Sequence, residues 1–171
     1  LAKSTSWLGI DDETWIRLWY VGCLGASGAA AGLVACAAAM TRRSVIALLI
    51  VVATTSPVLL IRAVHPGLFA QFVSLLAWAV VFAFWRSGSA RVMWWAVPVL
   101  VVSLLSHPYF LLMNLVLFVG VAVSSAVNGR WSRVELVRWG LGVTVALGAS
   151  MFIFGFLSND SVPAGGYGAF G

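Results

Sequence analysis

Residues 108–127 read PYFLLMNLVLFVGVAVSSAV, and this stretch without a charged side chain decides the fold class. Proline at its first position suits the start of an α-helix, because the first N–H groups of a helix have no partner within the helix. About 20 apolar residues in a helix are long enough to cross roughly 30 Å of hydrocarbon. The stretch therefore predicts a transmembrane helix that begins next to His107.

Five further apolar blocks flank this stretch and are separated by short polar segments. They cover residues 18–40, 45–61, 67–85, 92–105 and 134–157. Together the six blocks predict an all-α fold, a polytopic transmembrane helix bundle of about six spans. Block 92–105 is the shortest and contains Pro98. It is expected to span with help from flanking residues, or as a broken or partly re-entrant helix.

The composition excludes a soluble globular domain. Hydrophobic residues make up 62% of the chain and charged residues only 9%, whereas about a quarter of the residues in a soluble domain are charged. The net charge of +5 would raise the question of nucleic acid in a soluble protein. Here the basic residues lie in short loops between apolar blocks, so we expect membrane lipids, and no nucleic acid, as partners.

The distribution of basic residues predicts the orientation of the bundle. If all six blocks span, one side carries six loop arginines and is cytoplasmic by the positive-inside rule. These are Arg42, Arg43, Arg86, Arg91, Arg130 and Arg133. The other side carries Lys3, Arg17 and Arg62. Both ends of the chain then face outward, and most of the potentially reactive side chains lie on the outer side.

Glycine and tryptophan predict two further kinds of contact. Gly28 and Gly32 in the first block form a pair of small residues four apart, which favours close approach between membrane helices. Tryptophans near the predicted span ends are expected to form aromatic belts at the membrane interfaces. They include Trp85, Trp94, Trp95, Trp131 and Trp139.

Arg62 and His65 lie at the outer end of the second block. An arginine at the edge of the hydrocarbon either extends its charge to the interface or meets an anion. In the first case His65 is an ordinary loop residue. In the second case the guanidinium holds a phosphate through two parallel hydrogen bonds, and His65 assists.

His107 and Tyr109 stand between two spans on the same side, with no charged residue nearby. They fit a capped helix start with an interfacial tyrosine as well as they fit a binding site. His65 and His107 alone do not make a metal site, because the other ligands would have to be acidic residues. Those on this side are Asp11, Asp12, Glu13 and Asp160. The sequence thus identifies no cofactor and leaves a divalent metal open.

Three motifs occur in order along the chain. They are Pro57-Val58-Leu59-Leu60-Ile61-Arg62 leading to His65 and Leu68, His107-Pro108-Tyr109 followed by Met113 in the next span, and Gly165-Gly166-Tyr167-Gly168. In these motifs the chain resembles a bacterial multi-pass membrane family, domain of unknown function 6311, over roughly residues 16–171. That family is similar to membrane glycosyltransferases of the GT-C architecture. The resemblance therefore implies a GT-C-like partial domain.

The resemblance also implies a function. A lipid-phosphate-linked sugar donor would bind at the outer face of a bacterial inner membrane, with transfer to an acceptor there. Arg62 and His65 would contact the phosphate leaving group, and His107, Tyr109 and Tyr167 would be the other substrate-binding residues of the site.

The catalytic carboxylate is the part of the site that the sequence does not identify. In GT-C enzymes an acidic residue of the first external loop serves as the base, and the resemblance places that loop before residue 1. The chain, residues 1–171, is accordingly expected to be a single membrane-embedded segment within a longer protein. Asp11 and Asp12 remain as candidates for the base. They also suit the start of a helix, where acidic residues favour the macrodipole.

Two other classes of function stay open. A transporter or flippase would have polar groups at mid-membrane and helices broken in matching positions. Pro57 and Pro98 fit that pattern, while the spans contain no Asp, Glu or Lys at their centres. A non-catalytic membrane scaffold would tolerate substitution of the outer polar residues.

Overall fold

A computed structural model describes residues 11–55 and 69–154, except for the side chain of Asp12, and contains seven α-helices in that part of the chain. The helices are α1 (Asp12–Ala37), α2 (Arg43–Thr55), α3 (Phe72–Ser87), α4 (Ala90–Met93), α5 (Ala96–Ser106), α6 (Pro108–Val127) and α7 (Arg133–Ile153). Within these two ranges no residue is in a β-strand. The all-α prediction is confirmed.

Three of the described helices are long and apolar enough to cross a membrane. They are α1 from Glu13 onward, α6 and α7, with 25, 20 and 21 residues. The helices α2 and α3 have 13 and 16 residues, and 16 residues extend only about 24 Å at 1.5 Å per residue. The three long helices indicate a membrane protein. The number of six spans stays a prediction.

Hydrogen bonds at the caps decide where the helices begin. The first apolar block starts at residue 18, but α1 starts six residues earlier because the Asp11 carboxylate accepts the Thr14 N–H at 2.7 Å. At α7, the Ser132 hydroxyl accepts the Glu135 N–H, and the Glu135 carboxylate accepts the Ser132 N–H in return. Such reciprocal bonds satisfy donors that the first turn of a helix leaves free.

The shortest block forms a broken helix, one of the forms expected from its sequence. Trp94 and Trp95 separate α4 from α5 in a turn. Pro98 has no N–H, so the Trp94 carbonyl lacks the donor that an α-helix would supply four residues later. This carbonyl instead accepts the Val97 N–H at 3.1 Å. The bond to the third residue tightens the chain locally, as in a 3₁₀-helix.

Aromatic rings connect the end of α3 to the turn between α6 and α7. The ring centroids of Phe84 and Trp131 lie 5.7 Å apart, and those of Trp131 and Trp139 lie 6.1 Å apart. The Trp139 Nε1–H donates to the Met93 carbonyl at 3.1 Å. Trp131 and Trp139 are each 4% exposed. The prediction of an interfacial belt is therefore wrong for these two, because helices distant in sequence enclose them.

α1 packs most extensively against α3 and next against α2. A Cβ atom on Gly28 would lie 3.3 Å from the Thr54 Cγ2 and 3.6 Å from the Ile50 Cγ2, whereas one on Gly32 would meet no atom within 4 Å. Of the predicted pair of small residues, Gly28 therefore makes the close contact with α2. Gly32 does not take part in it.

The described arginines of the loops share one end of the bundle. Arg86, near the end of α3, donates to the Cys36 carbonyl near the end of α1 at 3.2 Å, and Phe84 contacts Trp131 in the turn before α7. The ends of α1, α3 and α6 therefore lie together. We call this the arginine end, and it carries Arg42, Arg43, Arg86, Arg91, Arg130 and Arg133. The opposite end, where α6 begins, is called the Tyr109 end.

Two helices terminate with the same pattern of backbone bonds but with different residues in the left-handed position. After α1, Ala39 has φ 55° and Met40 N–H donates to the Ala35 carbonyl at 2.9 Å. After α6, Gly129 has φ 70° and Arg130 N–H donates to the Ser125 carbonyl at 2.9 Å. Glycine adopts this conformation freely, whereas the Cβ of alanine makes it unfavourable.

Exchanging these two residue types should shift stability in opposite directions. Ala39→Gly relieves the left-handed alanine but makes the unfolded chain more flexible, so a net gain of about 0.5–1 kcal/mol is expected. Gly129→Ala should cost about as much, since its Cβ would meet nothing within 4 Å and only the backbone is affected. Unfolding of the detergent-solubilised protein in dodecyl sulfate measures both. Shifts of the same sign would contradict this account of the two helix ends.

Candidate functional site

A cavity of about 410 Å³ lies at the Tyr109 end between α2, α3 and α6. α2 contributes Ala53 to its wall, the start of α3 contributes Gln71 and Ser74, and α6 contributes Tyr109 and Met113. A second space of about 370 Å³ shares Ser74, Tyr109 and Met113 and follows the side of α6. Sites for small molecules usually have volumes of about 300–1,000 Å³, with apolar walls and a few polar groups. The cavity fits that description.

His107 and Tyr109 have different roles at the Tyr109 end of the bundle. The His107 Nδ1 accepts the Tyr109 N–H at 3.1 Å and so caps α6. With Nδ1 as acceptor, the neutral imidazole carries its proton on Nε2 and can donate it there. The Tyr109 side chain is 48% exposed and lines the cavity. The capped helix start is therefore present, and it places a tyrosine on the cavity wall.

Ser74 supplies a polar group that the sequence analysis did not identify. Its hydroxyl oxygen is buried and has no hydrogen-bond partner among the described residues. Other buried serines in this part of the chain donate to the carbonyl four residues earlier at 2.7 Å, namely Ser27, Ser103, Ser125 and Ser150. Because buried polar atoms are nearly always paired, the Ser74 hydroxyl on the cavity wall is suited to meet a polar group of a bound molecule.

A buried polar pair joins α5 and α6 next to the second space. The Asn114 Nδ2 donates to the Ser103 hydroxyl at 3.0 Å, and both residues are at most 2% exposed. Asn114 also lines the second space. Polar side chains of this kind hold membrane helices together. The sequence could have indicated a buried polar contact here, because Asn114 is an amide side chain within a mostly apolar stretch.

The acidic residues at the start of α1 are engaged locally. Hydrogen bonds from Thr14, above all from its backbone N–H, hold the pKa of the Asp11 carboxyl below its ordinary value. Glu13 forms an ion pair with Arg17 one turn later. Asp11 is thus a helix cap with a weakly basic carboxylate, and it does not line the cavity at the Tyr109 end. A catalytic role for Asp11 or Asp12 stays a prediction.

Several predicted site residues fall outside the described residues. These are Arg62, His65, Asp160 and Tyr167. Ala53 and Gln71, which lie near the two ends of the segment that carries Arg62 and His65, both line the cavity. Within residues 11–55 and 69–154, no three His, Cys, Asp or Glu side chains come together as a metal site would require.

The fold and the cavity define the class: a helical membrane protein with a largely apolar cavity at one end of its bundle. A family model described as Domain of unknown function (DUF6311) matches residues 1–171, so the chain belongs to that family. No curated protein and no solved structure matches the chain. The predicted resemblance to this family is confirmed.

Proposed function

We propose that the protein is a multi-pass, GT-C-like membrane glycosyltransferase, which transfers a sugar from a lipid-phosphate-linked donor at the outer face of a bacterial inner membrane. The observation that supports this most is the cavity at the Tyr109 end, where apolar walls meet the Ser74 hydroxyl, which has no hydrogen-bond partner among the described residues. A donor with a hydrocarbon chain and a polar head needs both kinds of surface. The catalytic base and the acceptor are not part of the proposal.

The two adjoining spaces suit the two parts of such a donor. The second space follows α6 past Leu112, Val116 and Leu117, and these aliphatic side chains fit a hydrocarbon chain. Gln71, Ser74 and Tyr109 border the first space, and their amide and hydroxyl groups can hydrogen-bond a phosphate or a sugar.

A phosphate leaving group also needs positive charge as the bond to the sugar breaks. Arg62 and His65 are the residues that we assign to this task. They belong to the segment 56–68, which joins α2 to α3 in the chain. Both helices border the cavity, and we therefore assign the cation to the segment between them in the chain.

The orientation follows from the grouping of the arginines. If the six apolar blocks all cross the membrane, the arginine end is cytoplasmic by the positive-inside rule. The Tyr109 end then faces outward. A lipid-linked donor in the outer leaflet would reach the cavity from the side.

The test is sugar transfer by the intact protein in proteoliposomes, with polyprenyl-phosphate-linked sugars as donors. Arg62→Ala and His65→Ala should each lower the rate, for Arg62→Ala by about 100-fold, as for the loss of one group that stabilises transition-state charge. Arg133→Ala, which removes an exposed arginine at the opposite end, serves as the control and should keep the wild-type rate. Full activity in both Arg62→Ala and His65→Ala would rule out the assigned phosphate contact.

A transporter or flippase of lipid-linked substrates is the second candidate, and the break at Trp94 and Trp95 favours it. Interrupted helices are common at the substrate sites of transporters. The same proteoliposomes separate the two candidates. Movement of a labelled lipid-linked sugar between leaflets without sugar transfer would support the transporter.

A further inference from the structure

The bundle has an apolar groove of about 660 Å³ between α1, α3 and the broken helix α4–α5. We call it the arginine-side groove, and its walls include Leu33, Cys36, Ala79, Ala83, Val92 and Pro98. The alanines on α3 leave room between the helices, and the turn forced by Pro98 separates α4 from α5. The groove is lined almost entirely by apolar atoms, which suits a hydrocarbon chain.

Arg86 stands at the rim of this groove. Arg86 donates from Nη1 to the carbonyl of Cys36, a wall residue, at 3.2 Å. A guanidinium has five N–H donors, so this bond leaves others for a further partner. Arg91 is exposed and precedes the wall residue Val92 in the chain. Arg86 therefore places a positive charge directly beside an apolar channel, and Arg91 lies next to a wall residue in the chain.

Among the described residues, no carboxylate forms an ion pair with these arginines. In the described part of the chain the ion pair is Glu13 with Arg17, at the start of α1. Glu135 lies at the arginine end, but its carboxylate accepts from the Ser132 N–H and hydroxyl. The positive charge at the groove rim is thus uncompensated within the described structure.

We infer that the arginine-side groove binds an anionic phospholipid of the surrounding bilayer, with one acyl chain along the apolar walls and the phosphate on Arg86 and Arg91. Basic residues between membrane helices attract acidic lipid headgroups for the same reason. The inference does not depend on the proposed sugar transfer, because the groove and the Tyr109 cavity share no wall residue.

Native mass spectrometry of the detergent-solubilised protein tests the preference. Phosphatidylglycerol should bind roughly 10-fold or more tightly than phosphatidylcholine with the same chains. Arg86→Gln combined with Arg91→Gln should reduce this preference to about twofold or less, since neither charge then remains at the rim. Arg130→Gln combined with Arg133→Gln removes the same charge from the same end, away from the groove walls, and should retain the preference. The inference would be overturned if the two lipids bound the wild type equally, or if both double variants lost the preference for phosphatidylglycerol to the same extent.

The native Cys36 locates the bound lipid without a further mutation. It is exposed and lies on the groove wall, whereas Cys23 is buried. Phosphatidylglycerol should slow the reaction of Cys36 with a maleimide several-fold more than phosphatidylcholine does at the same concentration. Equal rates in the two lipids would show that the anionic lipid binds elsewhere and would overturn the inference.

Discussion

Replacing Ala53 by tryptophan is expected to lower sugar transfer by about 100-fold or more. Ala53 lies on α2 and borders the cavity of about 410 Å³ at the Tyr109 end. An indole ring at this position would project into the space that we assign to the donor. Even small displacements of bound reactants can cost roughly 100-fold in rate, and an occupied cavity excludes the donor outright.

Leu48→Trp provides the matched control on the same helix. Leu48 is 63% exposed and does not border the cavity, so the same residue type introduced there should leave transfer unchanged. The initial rate with a polyprenyl-phosphate-linked sugar is measured for both variants, together with the midpoint of unfolding in dodecyl sulfate. A wild-type rate in a folded Ala53→Trp protein would show that the cavity is not the donor site.

Phe84→Ala is expected to have the largest effect on stability, a loss of about 3 kcal/mol. The Phe84 side chain is fully buried, and the centroid of its ring lies 5.7 Å from the centroid of the Trp131 ring. In a membrane, lipid chains solvate apolar groups about as well as the protein interior does, so packing contacts supply most of the association between helices. Truncation removes those contacts where the ends of α3 and α6 meet and leaves a cavity behind.

Phe152→Ala is the corresponding control. Phe152 is 77% exposed near the end of α7, and surface substitutions usually change stability by no more than about 0.5 kcal/mol. Titration with dodecyl sulfate, followed by circular dichroism, gives the free energy of unfolding for each variant. Similar losses in the two variants would show that the aromatic contacts at the arginine end contribute little.

Local sequence signals predicted some helix ends well. The block 108–127 coincides with α6, Pro108–Val127, because Pro108 suits a first helical position and Gly129 accepts the left-handed conformation after the last turn. The start of α1 was predicted less well, since a hydropathy pattern does not register the hydrogen bond from Thr14 N–H to Asp11. Helix ends are decided by caps, and apolar blocks mark only the part in contact with lipid or protein.

The candidate site could be predicted only in part. The position of His107 and Tyr109 at a helix start follows from the order of residues, and the cap occurs in the structure. Their role in a binding site stays a prediction. Ala53 and Ser74 carry no comparable signal, because an alanine and a serine in apolar stretches are common in any membrane helix. Their importance comes from the neighbours that α6 brings to them.

The sequence by itself determined the helical class and the apolar character, because each depends on residue types within one segment. The tertiary structure decided what no single segment contains: the cavity between α2, α3 and α6, the place of the Ser74 hydroxyl on its wall, the buried Trp131 and Trp139, and the groove beside Arg86. Each of these arises where helices far apart in the chain meet. Side chains become buried, or leave space between them, only through the shapes of the partners that face them.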